Sequence, residues 1–82
     1  MSTKIEVYML VKDRRRIARL IEIKGVSKAA VARAAGWRSH SFLNRLLTGE
    51  KNSCKPEPAV AIAKFLEVQV EDIFLPKVST NK

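Results

Sequence analysis

The spacing of apolar positions changes several times along this chain, and each change marks an element. Residues 4–11, KIEVYMLV, are rich in β-branched and aromatic types and read as a short strand, with a helical extension as the alternative. Asp13 then offers an N-cap, because its carboxylate can accept the orphan amide hydrogens of a following turn. Ile17, Leu20, Ile21 and Lys24 recur at helical spacing, while Arg14, Arg15, Arg16 and Arg19 fall on other faces. Gly25 stops this first helix in the left-handed conformation. Ser27 caps a second helix, KAAVARAA, whose alanines keep it narrow enough for close approach to a neighbour. Gly36 ends it, Trp37 and Arg38 form a turn, and Ser39 caps a third helix, HSFLNRLLT, closed by Gly49.

A polar loop, GEKNSCKPEP, follows. Pro56 and Pro58 suit the first turn of a fourth helix, where a missing amide hydrogen costs nothing, and that helix runs through Ala59, Val60, Ile62, Ala63, Phe65 and Leu66. Residues 68–75, with Glu71, Asp72, Ile73 and Phe74, form a short fifth helical turn, and PKVSTNK is a tail, in part strand. The expectation is a mostly α, five-helix domain with a short N-terminal strand. Residues 1–82 form one domain, with an extension or strand over 1–12, a helical core over 13–75 and a tail over 76–82.

Charge sharpens the picture because of where it lies. Residues 12–55 carry twelve Lys or Arg against Asp13, Glu22 and Glu50, a net +9, while residues 1–11 sum to zero and residues 56–82 to −1. Charge concentrated in one contiguous half points to a polyanion on that side, nucleic acid first and a membrane surface or acidic protein second. Cys54, the single cysteine, has no partner for a disulfide and no Cys or His at metal-ligand spacing, so it reads as a loop thiol in a reducing compartment. No apolar run approaches a membrane span, and the start, MSTKIEVYMLVK, is too polar for a signal peptide; cytoplasmic localisation is expected.

Residues 26–49, VSKAAVARAAGWRSHSFLNRLLTG, resemble the helix-turn-helix of the phage Cro and repressor family, the XRE-type regulators. The continuation PEPAVAIAKFLEVQVEDIF resembles that family's later helices, so the likeness covers roughly residues 13–75 and implies the lambda-repressor-like fold. The residues support it physically: Ala32 sits where the second and third helices meet, Gly36 allows the tight turn, and Val31, Leu43 and Leu46 point inward. His40, Ser41, Asn44, Arg45 and Thr48 are then left on the outer face of the third helix, short or forked polar groups fit to reach base edges.

The resemblance implies base contacts from Lys28, His40, Ser41 and Arg45, with Arg45 the best candidate for bidentate contact to guanine, and Asn44 on the same outer face is expected to join them. It implies backbone contacts from Lys51, Asn52, Ser53 and Lys55, which set register without reading sequence, and Arg38, Ser39 and Thr48 are expected to add backbone contacts of their own. Exposed amides at the start of the fourth helix would add to that grip. The implied protein is a double-stranded-DNA-binding transcription regulator, a repressor acting by operator occupancy in a phage or prophage setting, and hence in a bacterial host's cytoplasm. A homodimer, at least on DNA, follows by analogy, with residues 4–11 offering an edge that can pair with a second copy or with the tail around Val78.

The chain departs from the family pattern twice. The turn holds one extra residue, since both Trp37 and Arg38 precede Ser39, which loosens the assignment on the third helix by one position. Where the family pairs an arginine late in the first helix with a glutamate late in the third, this chain has Ile21 and Leu47, an apolar pair that can replace an ion pair at little cost.

Plainer readings stand beside these. The Arg14–Arg16 run is more often a solvated helix face than a phosphate contact, and Trp37 more often core than a stacking surface. Phe42 could be core, a contact to thymine methyls or a partner contact. An enzyme is the poorest reading: no nucleophile has a base at diagnostic spacing, and no glycine-rich loop or metal constellation is present, so no cofactor or small-molecule ligand is expected. The main alternative is a protein-interaction module on the same fold, antitoxin-like or an adaptor, which should show an apolar patch on the third helix. RNA binding, usually reliant on exposed aromatics, comes third.

Overall fold

A computed structural model describes the chain over residues 4–81, with side chains described over residues 6–78. In chain order the elements are β1 (Lys4–Val11), α1 (Arg14–Lys24), α2 (Lys28–Ala34), α3 (Ser41–Thr48), β2 (Ser53–Cys54), α4 (Pro56–Phe65), α5 (Val70–Ile73) and β3 (Phe74–Asn81). The expected five-helix, mostly α domain with an N-terminal strand is what forms.

Local chemistry sets most boundaries. The Asp13 carboxylate accepts from the Arg16 amide at 3.1 Å, and the Ser27 hydroxyl accepts from the Ala30 amide at 3.0 Å, so each caps its helix. Gly36, at φ +87°, closes α2 with the paired bonds Gly36 N–H to Arg33 and Trp37 N–H to Ala32, a Schellman ending that turns the chain sharply toward α3. The same ending closes α4 around Glu67, a non-glycine residue at φ +60° whose carboxylate pairs with Lys24.

The third helix starts later than expected. His40, not Ser39, occupies the N-cap and makes no side-chain capping bond, and α3 begins at Ser41. The extra turn residue explains the shift: Ser39 stands one position too early, and its hydroxyl accepts only from the Ser41 amide, at 3.4 Å.

The tail is a full strand, so the helical core ends at Ile73 instead of residue 75. β3 pairs antiparallel with the whole of β1, Val7 opposite Val78 and Val11 opposite Phe74, and β2 adds Met9–Cys54 and Leu10–Ser53 on the other side. The sheet order is β2-β1-β3, so β1 is the central strand. Of the two partners open to residues 4–11, a second copy or the tail around Val78, β1 takes the tail, with Val7 opposite Val78.

The core lies between helices and sheet. Ile17 and Ile21 of α1, Val31 of α2, Leu43 and Leu46 of α3, Ile62 and Leu66 around α4, and Ile73, Phe74 and Met9 are buried together. Cys54 belongs to this cluster: it is a buried strand residue, not a loop thiol, and burial pushes its thiol up to about 11 because the thiolate cannot be solvated there. Lys12 donates its amide to Ile73 O at 2.9 Å and its ammonium to Glu71 O at 3.2 Å, tying the start of α1 to α5.

Candidate nucleic-acid interface

Helix α3 is amphipathic in the sense the site needs. Leu43 and Leu46 are buried against the core, and Leu47 and Phe42 pack against it half-buried. Ser41, Arg45 and Thr48 are exposed and Asn44 is half-exposed, so a polar stripe runs the length of the helix at i, i+3, i+4 and i+7. Leu46 is buried and Phe42 half-buried, so the outward stripe is Ser41, Asn44, Arg45 and Thr48. His40 is exposed at the cap just before it.

Arg45 carries the largest reach on this face. Its side chain is 53% exposed, and in the free protein its Nε pairs with Glu50 Oε2 at 3.2 Å. Thr48 donates its hydroxyl to the Arg45 carbonyl at 3.3 Å, so it is engaged with its own helix. Lys28, the first residue of α2, is exposed and lines one shallow cleft with Ala18, Ile21, Glu22, Leu47 and Thr48. That cleft brings Lys28 beside the end of α3 and places Ile21 and Leu47 together, buried and half-buried, where an ion pair was absent from the sequence.

Polar and basic groups flank the stripe. Arg38, Ser39, Lys51, Asn52 and Lys55 are exposed, whereas Ser53 is half-buried in β2. Lys51 N–H returns to the Arg45 carbonyl at 3.0 Å, and Val11 N–H bonds the Asn52 carbonyl at 2.8 Å, so the loop is anchored at both ends. The first turn of α4 offers less to an anion than expected. Pro56 and Pro58 have no amide hydrogen, and Ala59 N–H already bonds Lys55 O at 3.3 Å, which leaves Glu57 N–H beside its own carboxylate.

The fold also recruits a residue that the sequence left on a solvated face. Arg14 Nη2 donates to Asn52 Oδ1 at 3.1 Å, and its guanidinium lies against Gly49, about 3.0 Å from where a β-carbon there would sit. A side chain at position 49 would push the Arg14 guanidinium away by a few tenths of an ångström. Nothing in the local pattern links two residues so far apart in sequence. Arg15, Arg16 and Arg19 line a separate shallow cleft with Asp13.

Trp37 and Phe42 form a tilted aromatic pair, ring centres 4.8 Å apart, which braces the turn between α2 and α3. Both pack half-buried against the core. Among the described residues no group of three or more His, Cys, Asp or Glu is placed to hold a metal ion, and no helix is long and apolar enough to cross a membrane.

A narrow helix joined by a glycine turn to a second helix, whose outer stripe is polar and whose flanking loop is basic, defines a helix-turn-helix. A family model described as a helix-turn-helix domain matches residues 12–73, and the chain belongs to that family. Membership suggests a DNA-binding regulator, in a family that is typically non-enzymatic. No curated protein and no solved structure matches the chain.

Proposed function

We propose that this protein binds double-stranded DNA sequence-specifically and acts as a transcriptional repressor by occupying its operator, in the manner of the small phage Cro and immunity regulators. The observation that carries the reading is the polar stripe of α3 on a helix whose other face is locked into the core. A rigidly held helix presenting Ser41, Asn44 and Arg45 suits the major groove. Lys28 and His40 complete the base-facing set. Arg38, Ser39, Thr48, Lys51, Asn52, Ser53 and Lys55 form the backbone-gripping set, and Arg14, brought to Asn52, joins it. The protein binds as a two-fold dimer, at least on DNA, with half-sites about one helical turn apart.

The alternative, an interaction module on the same fold, called for an apolar patch on α3, and the exposed residues there are polar. The test is selection of duplexes from a random pool, followed by footprinting on the DNA flanking the protein's own gene. Titration of the selected duplex should give a log–log salt plot with a slope near −0.9 for each of roughly five to eight neutralised phosphates. A flat plot would end the DNA reading.

A further inference from the structure

The fourth helix buries one face and, among the described residues, leaves the other without a partner. Ala59, Ile62 and Ala63 are in the core. Glu57, Val60, Ala61 and Lys64 lie at i, i+3, i+4 and i+7 on the opposite side and, with Pro56, line a shallow open cleft. Val60 is 42% exposed and Phe65, at the end of the same helix, 36%. Neither Glu57 nor Lys64 makes an ion pair or side-chain hydrogen bond among the described residues. They stand seven residues apart, about 10 Å along the axis, too far to satisfy one another.

The order of these residues is its own complement. A two-fold axis that exchanges positions 60 and 61 also exchanges 57 with 64, and 56 with 65. Two antiparallel copies of the helix then set Val60 against Ala61, Glu57 against Lys64 twice, and Pro56 against Phe65 at each end. The small apolar pair falls in the centre, and opposite charges flank it on both sides, the arrangement that fixes register between helices. Ala61 is small enough to let the backbones approach to the 8–10 Å typical of packed helices.

We propose that the outer face of α4 is the surface by which a second copy of this chain docks, helix against antiparallel helix. This deepens the dimer named in the proposed function and rests on that part of it alone, since it needs no DNA. A ten-residue helix is only about 15 Å long, so its footprint falls well short of the roughly 800 Å² per partner of a stable complex. The free dimer is therefore weak, and a doubled site on DNA would hold it together by proximity.

The test is sedimentation equilibrium of the free protein, wild type against E57K, K64E and an equimolar mixture of the two. All changed residues lie on the surface, and a circular-dichroism melt checks that each variant folds. Wild type self-associates weakly. Each single variant sets like charges together at both rims and raises the dimer dissociation constant roughly tenfold or more. Mixing the two restores association, because the heterodimer regains both opposite-charge pairs. Val60→Arg abolishes association in either background. The proposal is overturned if wild type is monomeric up to about 1 mM, if the single variants associate as wild type does, or if the mixture fails to recover. Association untouched by these changes but lost on Val78→Glu would place the interface on the β1–β3 ribbon instead, where Val7 and Val78 are exposed.

Discussion

Arg45→Ala is the perturbation that most directly tests the proposal that α3 reads a base. A bidentate arginine–guanine contact carries about 1–3 kcal/mol of discrimination. The free protein does not hold Arg45 idle, because its Nε pairs with Glu50 at 3.2 Å with both side chains more than half exposed. A surface pair of that kind is worth about 0–1 kcal/mol, and it must loosen before the guanidinium can address a base. The net loss on the specific duplex is then about 1–2 kcal/mol, or roughly fivefold to thirtyfold in affinity. On a scrambled duplex only one screened charge is lost. The specific-to-scrambled ratio should therefore fall severalfold, with stability changed by less than about 0.5 kcal/mol because the side chain lies on the surface. Glu50→Gln provides the companion arm. It removes the competing carboxylate and should tighten binding through Arg45 about twofold to fivefold, a gain that shrinks in the Arg45→Ala background. Fluorescence anisotropy on the selected and scrambled duplexes, at one fixed salt concentration, measures all four proteins. An unchanged specific-to-scrambled ratio for Arg45→Ala would refute α3 as the reading helix.

Lys51→Ala, in the exposed loop after α3, should weaken binding to all duplexes about equally and reduce the salt slope by about one; a loss confined to the selected sequence would contradict a backbone role. Ile21→Ala removes a buried side chain packed beside Leu47 and should cost about 2–4 kcal/mol in urea unfolding, whereas a cost under about 1 kcal/mol would show that the α1–α3 contact is not part of the core. The Cys54 thiol, raised to about 11 in the folded chain against about 8.5 unfolded, holds its proton more tightly when folded. Its stabilising contribution is complete below the unfolded value and is lost as pH rises toward the folded one. A Cys54→Ala variant should show a shallower decline in stability across that window, and wild-type Cys54 should alkylate slowly at pH 8 until denaturant is added; rapid native alkylation would show that the thiol is not buried.

The outline of this domain was legible because helix ends are local events. Asp13, Ser27, Gly25, Gly36, Gly49 and Pro56 act on atoms within a few residues of themselves, so a linear pattern carries them. The start of α3 was missed by one residue for the same reason inverted. His40 holds the cap without a side-chain bond, and Ser39, the expected capping residue, sits one position too early to serve. The polar stripe survived that error because burial of Leu43 and Leu46, not distance from the helix start, decides which side faces out.

Apolar content alone could not say which hydrophobic residues are core. Val60 and Phe65 read as part of the fourth helix's apolar run, yet they face outward, while Ile62 and Ala63 between them are buried. The strand at residues 4–11 was legible from its side-chain types, and the tail around Val78 was one of the two partners open to it; which of the two it takes was not legible, because pairing is set by backbone hydrogen bonds that any sequence can offer. That non-local choice covers one edge of β1 along its length, while β2 reaches only Met9 and Leu10 on the other. β2 is only two residues long, too short to announce itself, yet its pairing draws Cys54 beside Met9 and so turns a surface thiol into a buried one. Arg14 met Asn52 for the same reason. What the sequence determined by itself was the number and order of the helices, most of their ends and how charge divides along the chain. Which strands join, which thiol is dry and which arginine reaches the loop depended on contacts between distant residues, whose energies exist only once the chain has closed on itself.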